Sequence, residues 1–151
     1  MGRVAIWGYL VFALAAGAVL PIQFGINAQL AAWLGSSVRA ALVSFVVGAV
    51  ALAVVALGIA RDWPAADRVT SAPWWVWIGG ALGAFYVLGS IVAAPRLGAV
   101  TLFVMILAGQ ALASLAVDHF GWVGFEEHPV NALRLGGVAL LAAGVALVRF
   151  S

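Results

Sequence analysis

Five long apolar runs, each closed by proline, glycine or charge, make up nearly the whole chain. They cover about 4–33, 38–60, 73–95, 97–117 and 130–150. Within them polar positions are too sparse to show a period, so length must separate helix from strand. Runs near 20 residues suit helices that cross a bilayer core of about 30 Å. Barrel strands would be about 10 residues long and would alternate. The pattern predicts an all-α integral membrane protein, a single domain over residues 1–151 with five transmembrane helices.

The first run is too long for one plain span, since 30 helical residues reach about 45 Å. Trp7 and Tyr9 mark one interface and Trp33 the other. Pro21 falls midway between Tyr9 and Trp33. A proline there deletes a hydrogen bond and crowds the carbonyl of Gly17, so the helix is expected to kink or open near the bilayer centre. Arg3 before an apolar stretch has the outline of a leader, but no polar mature domain follows, and the run reads as a retained helix. The connections are short: Gly35-Ser36-Ser37, then Arg61-Asp62-Trp63-Pro64 through Ala72, then a tight turn at Pro95-Arg96. The last runs from Asp118 to Pro129 and holds three of the five acidic residues and both histidines.

Composition agrees with lipid as the solvent. Hydrophobic residues are 66% of the chain and charged ones 8%, against about 25% charged in a soluble domain. All seven basic residues are arginines, scattered singly, whereas a nucleic-acid binder gathers them into a patch. The chain has no cysteine, which excludes disulfide and thiolate chemistry. Five spans place Arg3, Arg61, Arg68 and Arg134 on one side and Arg39, Arg96 and Arg149 on the other. Four against three is almost no instruction under the positive-inside bias. Either the first helix alone sets the orientation, or the chain inserts both ways and two copies pair antiparallel. The second reading is preferred. It yields a ten-helix inverted repeat, as in secondary transporters whose site lies near the midplane.

The polar residues inside the runs are the candidate chemistry. Gln23 and Asn27 are four apart, hence on one helix face, and Gln110, Ser114 and Asp118 repeat that spacing on the fourth run. An amide in hydrocarbon costs several kcal/mol unless paired, so both faces are expected to point into the bundle. They either hold helices together or line a substrate site, and the second reading is favoured beside a central proline. Tyr86 is a candidate pocket wall. Asp118 ends a helix, where a carboxylate opposes the macrodipole, and needs a partner such as His119 or Arg134. It is also a possible coupling or gating residue, with Pro21 as the bend. No ligand spacing recommends Asp118, His119, Glu126, Glu127 and His128 as a metal site, and no cofactor is expected. Gly79, Gly80, Gly83 and Ala84 form a small-residue face for close packing. No acid lies deep in a run, which disfavours a lipophilic cation as cargo. Ser-His-Asp and Cys-His constellations are missing, so no enzymatic activity is expected.

Pro21-x-Gln23-x-Gly25-x-Asn27-x-x-Leu30 resembles the first-helix motif of the YdcZ-like family. Gly109-Gln110-x-x-x-Ser114-x-x-x-Asp118-His119-x-Gly121, Gly79-Gly80-x-x-Gly83 and Pro95-Arg96-Leu97-Gly98 match as well. The fourth and fifth runs also look like the C-terminal hairpin of small multidrug exporters. The family lies in the drug/metabolite transporter superfamily. The resemblance implies five-helix half-transporters of the inner membrane that pair antiparallel. It implies transport, with no defined substrate, and the lack of a first-helix carboxylate departs from the multidrug branch. The expected activity is secondary transport of a small polar or zwitterionic metabolite, bound between two copies near Gln23, Asn27 and Gln110. The alternatives are a non-transporting scaffold or subunit, a multidrug-type exporter and a passive channel. The expected partners are membrane lipid, the solute and a second copy, with no nucleic acid.

Overall fold

A computed structural model describes residues 3–59 and 64–150. The loop residues Arg61, Asp62 and Trp63 lie outside the described residues, as do the side chains of residues 3–5 and 66. Every element among the described residues is helical. Lipid offers no hydrogen bonds, so a chain this apolar must pair its own backbone, and a helix does so locally.

Helix α1 spans Arg3–Leu34 and runs through Pro21 without non-helical dihedrals. The expected opening at Pro21 is therefore absent, and any bend is absorbed within helical geometry. Gly35 then takes φ 63°, and the Ser36 N–H donates to Ala31 O at 3.1 Å. This is the glycine-capped Schellman ending, available without strain to a residue lacking Cβ. Ser36 at once caps the next helix, its Oγ accepting from the Arg39 N–H at 3.3 Å. Helix α2 follows as Ser37–Ile59. A short helix α3, Ala66–Thr70, sits in the connection expected to be loop, and a 3-10 turn, Trp74–Trp77, follows Pro73.

Helix α4 spans Ile78–Phe120 and is broken at Gly98, where φ 74° and ψ 165° are open only to glycine. The expected turn at Pro95-Arg96 is thus displaced. Pro95 stays within the helical stretch, and Arg96 Nη1 folds back to donate to Val92 O at 3.0 Å. A guanidinium on the last carbonyls is a common helix ending, and it lets the helix run past the proline. An unbroken helix of this length would reach about 65 Å, twice the bilayer core, whereas arms 78–97 and 99–120 each suit one crossing. Helix α5, Ala132–Phe150, starts at Asn131, whose Oδ1 accepts from the Arg134 N–H at 3.0 Å. Among the described residues four helical stretches are long and apolar enough to cross a membrane: Ile6–Leu34, Ser37–Ile59, Trp74–Phe120 and Ala132–Phe150.

The chain divides into two compact units, Ile22–Arg96 and Met1–Pro21 with Leu97–Ser151. The first has a small core of Ala40, Ala41, Val87 and Ile91, flanked by Leu30, Ala31 and Leu34. The ring of Phe45 lies 3.4 Å from where a Cβ on Gly83 would stand, so one glycine of the small-residue face does admit a close neighbour. In the second unit Leu102 is buried. Large apolar side chains elsewhere face outward, as they should where the surroundings are acyl chains.

Candidate functional site

Within the unit Ile22–Arg96, Phe24, Asn27 and Ala31 recur at i, i+3 and i+7 and so share a face of α1. Phe24 and Asn27 are 1% and 4% exposed. The rings of Phe24 and Tyr86 meet edge to face with centroids 6.3 Å apart. Ser90, one turn beyond Tyr86, is also buried, and its Oγ donates to Val87 O at 2.8 Å. Its polarity is spent on its own helix. Asn27 and Tyr86 differ: Asn27 Nδ2 and Tyr86 Oη are buried with no hydrogen-bond partner among the described residues. A buried group left unpaired costs about 1–3 kcal/mol. Gln23 lines a cavity of about 270 Å³ with Ser44, Phe45, Gly48, Leu52 and Val87. The unit therefore offers an amide at a cavity, a second amide buried without a partner and a phenol in the same condition.

The unit of Met1–Pro21 with Leu97–Ser151 holds the other candidates. Gln110 is exposed on the single chain, against the expectation that it points inward. The reasoning from cost stands, but it requires a cover that the described residues of this unit do not supply. Ser114 lines an open groove of about 320 Å³ whose polar end is Asp118 and Arg134. Arg134 Nη1 donates to Asp118 Oδ2 at 3.0 Å and to the His128 carbonyl at 3.3 Å. Of the two partners expected for Asp118, Arg134 is the one found. His119 instead accepts from the Val130 N–H at 3.2 Å through Nδ1. The Asp118 carbonyl accepts from the His128 N–H at 2.7 Å. The loop after α4 is thus tied across the helix end. Gly121 closes it with φ 60°, and a Cβ there would meet Phe125 O at 3.3 Å.

Ser44 and Ser90 were not legible as site residues. Ser90 carried one signal, its spacing of one turn from Tyr86, and Ser44 carried none inside a solid apolar run.

The family described as "Putative inner membrane exporter, YdcZ" matches residues 8–147. The "Inner membrane protein YdcZ" of Escherichia coli (strain K12) is 36% identical over 84 residues. That match spans about half of each protein, 54% of this chain and 54% of the relative. No solved structure matches the chain.

Proposed function

The chain belongs to the YdcZ family and is a multi-pass inner-membrane protein, and on that footing we propose that it is a secondary transporter of a small polar or zwitterionic solute. It works by alternating access in an antiparallel homodimer of two five-span copies, with bending at Pro21 and at Pro95–Gly98. The solute binds at Gln23, Asn27 and Tyr86.

The observation that carries this reading is the pair of buried polar atoms without partners, Asn27 Nδ2 and Tyr86 Oη. An interhelical bond from Nδ2 would explain a buried amide, and among the described residues Nδ2 makes none. A non-transporting scaffold held together by its amides needs the bond that is missing. A donor held dry and unpaired suits a protein that spends part of its cycle with a solute or a rearranged neighbour accepting from it. Gln110 supports the dimer, because an amide facing hydrocarbon is costly until something covers it. The near balance of arginines supports insertion in both orientations. The lack of a deep carboxylate argues against cationic drugs as cargo.

The test is counterflow in proteoliposomes loaded with unlabelled neutral amino acids, with labelled ones outside. Trans-stimulated uptake that Asn27→Leu abolishes is the expected result. Equal flux with and without internal solute would indicate a passive channel. No flux for any member of a broad metabolite panel would favour the scaffold.

A further inference from the structure

The groove ending at Asp118 and Arg134 is not explained by solute transport at Gln23, Asn27 and Tyr86. We propose that it is a headgroup site for a zwitterionic phospholipid carrying a primary ammonium, of the phosphatidylethanolamine class.

Each member of the ion pair keeps unused valence. Arg134 employs Nη1 alone, and Asp118 employs Oδ2 alone. Among the described residues Arg134 Nε and Nη2 and Asp118 Oδ1 have no side-chain partner, and both side chains are 34% exposed. The site therefore offers guanidinium donors and a carboxylate acceptor side by side, with N···O 3.0 Å between the paired groups. A phosphate takes guanidinium N–H groups, and a primary ammonium donates to a carboxylate. One zwitterion satisfies both.

The rest of the groove chooses lipid over a free solute. From the ion pair it continues for about 10 Å along the helices, two turns each. Leu115 on α4 and Val138 and Leu141 on α5 make its apolar wall, with Ser114 the polar exception. Phe120 and Trp122 stack at 4.9 Å just beyond Asp118, and both are exposed. Aromatic side chains at a helix end mark headgroup level. Charge at that level with an apolar channel running from it into the bilayer matches an amphiphile in both parts.

Gly137 gives a clean handle. It lines the groove, and a Cβ on it would have nothing within 4 Å. A larger side chain there enters the groove from a position where its Cβ meets no neighbour.

The experiment is native mass spectrometry of the protein released from nanodiscs of equimolar dioleoyl phosphatidylethanolamine, phosphatidylcholine and phosphatidylglycerol. The ethanolamine lipid should be retained about tenfold over the other two. The choline lipid has no N–H to give Asp118, and the glycerol lipid has no cation. Gly137→Leu and Asp118→Asn should each remove the preference, while Gly144→Leu, on the same helix outside the groove, should keep it. Equal retention of all three lipids would overturn the site, and so would a preference that survives Gly137→Leu. Displacement of the lipid by soluble phosphoethanolamine at equal concentration would show a solute site and overturn the lipid assignment. Flux is not the readout, so failure here leaves the transport reading where it was.

Discussion

Replacing Asn27 with leucine separates a binding amide from a structural one by the sign of a stability change. The two side chains have the same branched outline, so the swap changes chemistry more than shape. In the folded chain Asn27 is 4% exposed and its Nδ2 has no partner. That donor costs about 1–3 kcal/mol relative to a state in which it is paired. Helices separated within a micelle or bilayer allow an amide to find other partners. Folding therefore withdraws a hydrogen bond from Asn27, and leucine loses nothing. Repacking two methyls at this buried position subtracts about 1 kcal/mol. The variant should lie between unchanged and about 2 kcal/mol more stable. An amide acting as interhelical glue contributes about 0.6 kcal/mol on average and up to about 1.7, so its loss would destabilise. Equilibrium unfolding in mixed micelles reads the difference directly. The same variant should lose counterflow. A stability loss of about 1 kcal/mol or more, with flux intact, would refute the reasoning.

Other consequences can be measured independently. The chain lacks cysteine, so single cysteines added at either terminus should each label from both sides of the membrane with an impermeant maleimide; one-sided labelling defeats antiparallel pairing. Gly98→Ala places a Cβ on a backbone with φ 74° and ψ 165° and should cost about 1–3 kcal/mol in the same unfolding assay, whereas Gly89→Ala, whose added Cβ meets nothing within 4 Å, should be tolerated. Arg134→Gln leaves the Asp118 carboxylate at a helix C-terminus without its cation and should lose up to about 1 kcal/mol, the modest size following from the exposure of the pair. If Arg134→Gln costs as much in an Asp118→Asn background, the ion pair is not the cause.

How much was legible in the chain depends on which solvent acts on each residue. The helical runs were readable because lipid leaves the backbone one local way to pair itself, and their ends then follow from Gly35, Ser36 and Asn131, whose capping roles are properties of single residues. The break in α4 falls at Gly98 rather than at Pro95-Arg96 because proline is tolerated in a last turn that a guanidinium can cap; Arg96 reaching back one turn to Val92 is a side-chain conformation that the spacing of apolar residues does not contain. The same limit explains Gln110. Four-residue spacing says that Gln110, Ser114 and Asp118 share a face, and cost says that the Gln110 amide on it must be covered. Neither says whether this chain or another covers it, and the described residues of its own unit do not. Asn27 is the contrasting case, covered by its own unit yet left without a partner. One amide thus lacks a cover and another lacks a bond. A lone, static copy relieves neither deficit. A second copy would supply the cover and a bound solute would supply the bond, which is why the dimer and the transport cycle stand together as one hypothesis.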